Sequence, residues 1–163
     1  MKKIFWNILL LMLLGMASHT MALAAETVVG PKTRCAVCGM FVARYPNWLA
    51  SLTMSDGTVK YFDGVKDMMV FNFAPQKYGA TPGATVTEMQ VNDYYALKPV
   101  DAREAFYVVG SDVTGPMGHE FVPFATRAAA EAFSKDHHGQ NILTLESISS
   151  ELVESMRSGQ RMK

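Results

Sequence analysis

The sequence predicts an α+β protein built from two small ββαβ units. Three observations lead there. Asp56-Gly57, a hairpin-turn dipeptide, is flanked on both sides by alternating apolar residues. A short apolar run at helical spacing and then a strand pattern follow it. The same order of elements, β-β-α-β, returns in the second half although the letters do not. The two units span about residues 41–95 and 104–146.

In the first unit, "WLASLTMSDGTVKYFD" supplies the hairpin. A helix is expected from about Gly64 to Phe73, with Asp63 as its N-cap and Val65, Met68, Met69 and Phe73 on its apolar positions. "APQKYGATPGA" breaks the pattern, and "TVTEMQVNDYYAL" reads as the closing strand. "ALKPVDAR" then serves as the connector between the units.

In the second unit, "EAFYVVGS" and the shorter "HEFVPF" are strands. "ATRAAAEAFSKDH" is a helix capped by Thr126, with Ala129, Ala132 and Phe133 along one face. "DHHG" marks its solvated end, stopped by Gly139. "QNILTLES" is the last strand, and "SISSELVESMRSG" a terminal helix or fraying tail.

The start of the chain carries the pattern of an export signal. Lys2 and Lys3 precede the apolar run "IFWNILLLMLLGM", and Ala22-Leu23-Ala24 offers small residues for cleavage after Ala24. The run spans only ~20 Å as a helix, against a hydrocarbon core of ~30 Å, which favours cleavage over a retained anchor. Residues 1–24 are therefore read as a signal peptide and 25–163 as the mature domain, located in the periplasm. Neither cysteine is placed for lipidation, because "GPKTR" precedes them rather than an apolar run. Without the two leader lysines, 13 basic residues face 15 acidic ones, a formal charge of −2. No basic stripe is present, which excludes a nucleic-acid partner. Two cysteines allow one bridge at most, so this is no disulfide scaffold.

The chemistry concentrates in "RCAVCGMF", which holds both cysteines, Cys35 and Cys38, with Met40 two residues on. A redox dithiol needs C-x-x-C at the N-terminus of a helix that follows a strand. Here "TVVGPKTR" is a poor strand and "GMFVARYP" a poor helix. Structural zinc wants four N/S ligands, but no second C-x-x-C exists and His137-His138 lacks zinc-ligand spacing. A soft metal makes better use of the motif. Cu(I) accepts thiolate and thioether at low coordination number, and a thioether has no proton to lose.

Met117, in "GSDVTGPMGHEF", lies between turn-formers beside His119. It reads either as a further thioether or as a loop residue folded back onto the core, and His119 either as a ligand or as plain surface. Asp63 is explained by capping. Asp93 and Asp101 read as strand-end and turn residues bonding local backbone rather than as a carboxylate pair. Tyr61, Phe62, Tyr94, Tyr95, Phe106 and Tyr107 read mostly as core. No Ser-His-Asp set, phosphate loop or dinucleotide motif occurs.

Together, "CAVCGM", "YFDGVKDMM", "VNDYYAL", "VDAREAFYVVGSDVTGPMGHEFVPF" and "AEAFSKDHHG" resemble the NosL family of nitrous oxide reductase accessory proteins, from about Arg34 to Ile148. The resemblance implies a fold of two ββαβ units like those of organomercurial lyase. It further implies Cu(I) binding outside the inner membrane and delivery, with an ABC-type membrane complex, to the copper–sulfide centre of nitrous oxide reductase. Carried over by motif, the metal candidates are Cys35, Cys38, Met40, Met117 and His119. Two departures stand out. The chain lacks the lipidated cysteine of many members, and it has His138-Gly139 where the family tends to a Gly-Gly pair. The expected function is that of a Cu(I) chaperone and not an enzyme. The alternative is a periplasmic thiol–disulfide oxidoreductase using Cys35 and Cys38. Organomercurial lyase-like cleavage rests on fold analogy alone.

Overall fold

The computed structural model describes residues 29–159. The expected signal peptide and cleavage site lie outside the described residues. Strands β1 (Ala50–Met54) and β2 (Val59–Phe62) form the first hairpin, helix α1 spans Val65–Phe73, and β3 spans Val86–Asn92. After β4 (Pro99–Asp101), strands β5 (Phe106–Val109) and β6 (Val122–Phe124), helix α2 (Arg127–Asp136) and β7 (Asn141–Thr144) repeat the order. Helix α3 (Ser150–Arg157) closes the described chain.

The fold is α+β with two antiparallel sheets, ordered β2-β1-β3-β4 and β6-β5-β7. In both, the first strand of the unit lies between the second and the third, so the repeat extends from element order to strand pairing. Ala50 pairs with Phe62 on one side and Val91 on the other. Tyr107 likewise pairs with Pro123 and Leu143. Pro123 costs the sheet little, because β6 is an edge strand.

Local chemistry explains most boundaries. The hairpin turns at Gly57 with φ +82°, and Asp56 Oδ1 accepts the Thr58 N–H at 2.9 Å. Thr126 caps α2 by accepting from Ala129 N, and Ser149 caps α3 by accepting from Leu152 N. The C-terminal segment is therefore a capped helix, not a fraying tail. β5 is a continuous apolar run because both its faces are covered. Tyr107 and Val109 enter the main core with Leu52, Phe62 and Phe71, while Phe106 and Val108 pack with Phe124, Phe133 and α2.

Six expectations need correction. Asp63 does not cap α1: the cap residue is Gly64, without a side-chain bond, and the Lys66 N–H is taken by Glu120 from the second unit. The connector contains a strand, β4, which pairs with β3. The strand before it ends at Asn92, because Asp93 Oδ1 accepts the N–H groups of Tyr95 and Ala96 and turns the chain. Tyr95 is thereby exposed rather than core. At the end of α2 the left-handed residue is His138, with φ +56°. Gly139 instead provides room, since a Cβ there would lie 2.5 Å from Val108 Cγ1. On α2 itself the buried positions are Ala130 and Phe133, with Ala132 exposed.

Candidate metal centre

The two cysteines sit in a tight knuckle. Arg34 and Phe41 form an isolated antiparallel bridge, Cys35 N–H donates to Met40 O at 2.7 Å, and Gly39 N–H to Cys35 O at 3.0 Å. Gly39 turns the chain with φ +80°. The Arg34 guanidinium closes the loop from outside, donating to Gly39 O at 2.8 Å and covering the Phe41 ring at 4.2 Å. Ala36 N–H donates to Tyr61 O at 3.0 Å and pins the knuckle to β2. β2 runs directly into Asp63, so this bond carries the thiols to the start of α1.

There the sequence places two carboxylates four residues apart. Cys38 Sγ donates to Asp63 Oδ1 at 3.2 Å, and Cys35 Sγ to Asp67 Oδ2 at 3.3 Å. The four ligand atoms of Cys35, Cys38, Asp63 and Asp67 lie within 4.8 Å of one another. Both cysteines are free thiols. Burial pushes the Cys35 thiol up to about 12, and the Asp63 carboxylate adds to the rise. Burial also raises Cys38, which Cys35 and Asp63 push further while the Met40 N–H opposes them. Asp63 Oδ2 is buried and has no hydrogen-bond partner among the described residues. A buried carboxylate oxygen normally has one, so this atom is free to accept a further donor at the centre.

A second polar group backs the centre. Lys66, between the two aspartates, is buried, and its ammonium donates to Met117 O at 2.8 Å and His119 O at 2.7 Å. Glu120 Oε1 accepts from Lys66 N at 2.6 Å and from Phe121 N at 3.0 Å. Burial holds the Glu120 carboxyl up to about 8 despite the Lys66 charge. Gly64 is required by space, because a Cβ there would overlap the Glu120 carboxylate.

The structure thus joins Cys35 and Cys38 in one set. Met40 is half-buried, and its carbonyl builds the knuckle. Met117 is exposed and is not folded back onto the core. Through their carbonyls, Met117 and His119 are tied to the helix turn that bears Asp67, although the His119 ring is outside the four-atom set. Sequence reasoning missed Asp63 and Asp67 as members of that set. The available signal was their i, i+4 spacing in "FDGVKD", which puts both on one side of a helix start.

Comparison with known proteins places the chain. The chain is 29% identical over 133 residues to the copper-binding lipoprotein NosL of Stutzerimonas stutzeri, covering 77% of this chain and 67% of that protein. It also matches the crystal structure of the copper chaperone NosL from Shewanella denitrificans, with a TM-score of 0.65 and 26% identity, covering 76% of this chain and 94% of that one. The NosL family model matches residues 26–153, and the chain belongs to the NosL family.

Proposed function

We propose that this protein is an exported Cu(I) chaperone, and not an enzyme, which supplies copper for the copper–sulfide centre of nitrous oxide reductase. The observation that carries the reading is the pair of free thiols, Cys35 and Cys38, converging in one cluster. Two thiolates suit Cu(I), whereas carboxylate oxygens are hard donors that suit it poorly. Asp63 and Asp67 therefore serve to orient the thiols by accepting their S–H hydrogen bonds, and Met40 and Met117 are the candidate thioether donors, with His119 beside them. The names of the two NosL relatives, one copper-binding and one a copper chaperone, support the choice of metal. The acceptor and the ABC-type membrane complex at the inner membrane rest on the family resemblance. So does a periplasmic location, in a mature chain of 25–163. Among the described residues no helix is long and apolar enough to cross a membrane.

The oxidoreductase alternative is weakened by the thiols themselves. A catalytic dithiol keeps a lowered pKa in a C-x-x-C that opens its own helix, whereas here both thiols are raised and their C-x-x-C forms a knuckle. Competition of the reduced mature protein against a Cu(I) chelator tests the proposal. About one Cu(I) per chain is expected, held in strong preference to Zn(II). Stoichiometric zinc retained in the presence of Cu(I) would overturn it.

A further inference from the structure

Met117 occupies the tip of a turn in which Gly115 N–H donates to Gly118 O at 2.8 Å and Gly118 N–H to Gly115 O at 3.1 Å. With 49% of its surface exposed, its side chain does not anchor that turn. The anchor is Lys66, only 2% exposed, whose ammonium holds the carbonyls on both sides of Gly118. Among the described residues Lys66 has no ion pair within 4.0 Å. Burying an ammonium is costly, and packing alone would be met as well by an apolar side chain. Its two bonds go instead to the loop bearing a candidate donor, from the helix turn that also carries Asp67, itself 3.3 Å from the Cys35 sulfur. The cysteine knuckle precedes the first ββαβ unit and is pinned to its strand β2, whereas Met117 lies in the second. Lys66 bonds directly across that division.

We propose that Lys66 is a positioning residue for copper binding. It latches the Met117 turn to the start of α1, so that the thioether is pre-organised beside the two thiols. The inference rests on the Cu(I) reading above and on Met117 as a donor. Without the latch, the turn is competent for only a fraction of the time, and apparent affinity falls by that fraction.

The test is a double-mutant cycle read by Cu(I) competition against a chelator. Met117→Leu and Lys66→Leu should each weaken binding, the Lys66 variant by about tenfold if the unlatched turn is competent about a tenth of the time. The double variant should be no weaker than Met117→Leu alone, because Lys66 acts only through that methionine. Lys66→Arg keeps charge and donors and should remain within about threefold of wild type. Losses that multiply in the double variant, or wild-type affinity in Lys66→Leu while Met117→Leu is weak, would overturn the latch. Wild-type affinity in Met117→Leu would overturn the thioether assignment, and the latch with it. Absence of Cu(I) binding in the wild type would overturn the copper reading itself. A measurement that needs no variant guards against misfolding: the Gly118 amide of the wild-type protein should show a rigid order parameter of about 0.85, and a value below about 0.6 would overturn the proposal.

Discussion

Glu120 accepts the Lys66 N–H at 2.6 Å, so a side chain from the second ββαβ unit caps the helix of the first. The same carboxyl oxygen takes the Phe121 N–H, and Glu120 is buried. Glu120→Ala leaves two buried donors without partners and should lower stability by about 2 kcal/mol. Glu120→Gln, which keeps an acceptor oxygen, should cost less. Urea unfolding reads both, and an unchanged midpoint for Glu120→Ala would remove the cap from this account.

Copper binding should release protons. Cys35 is held up to about 12 and Cys38 is also raised, so both are thiols at pH 7 and must deprotonate to bind as thiolates. About two protons should leave per Cu(I), and affinity should rise with pH throughout the neutral range. Calorimetry in buffers of different ionisation enthalpy counts them. Release of none would mean that the apo thiols are already ionised.

Asp63 contributes to the rise of both thiols. Asp63→Asn removes the charge while keeping an acceptor for Cys38, so the thiols should ionise at lower pH. Alkylation at pH 8 should become several times faster. Burial is the larger cause, so the gain is expected to be limited. Slower alkylation in the variant would contradict the assigned direction.

Tyr107 is inaccessible and donates its hydroxyl to Ala102 O at 2.6 Å. Burial, and then the charge of Asp101, raises its pKa in the folded state. The unfolded chain ionises this phenol near pH ~10. Above that pH the native state binds more protons than the unfolded one, so the stability present below ~10 is lost as pH rises. Tyr107→Phe should be about 1 kcal/mol less stable at pH 7, and the gap should close above pH ~10. A gap that is constant with pH would show that the phenol ionises freely in the folded protein.

Met40→Leu nearly conserves volume and apolarity and should cost less than ~1.5 kcal/mol in stability. If its sulfur is a ligand, Cu(I) affinity should nevertheless fall. Met54→Leu is the control, because Met54 ends β1 inside the core. Equal copper affinity in both variants and the wild type would remove Met40 from the site.

Sequence by itself determined the α+β class, the paired ββαβ order and the C-x-x-C-G-M motif, because strand alternation, hairpin turns and caps are written in neighbouring residues. Thr126 as a cap and the turn at Asp56-Gly57 are of this local kind. Tertiary structure decided what lies far apart in the chain. Asp63 reads as a cap, yet it faces Cys38, 25 residues earlier, because Ala36 is pinned to β2. The true cap of the Lys66 N–H comes from Glu120, 54 residues later. Lys66 and Asp67 lie between the helix positions read as apolar, yet both are buried, bonded to the loop carrying Met117 and to the cysteine knuckle. A carboxylate bonds whichever donor the fold brings within about 3 Å, and local spacing cannot specify a donor that arrives from another unit.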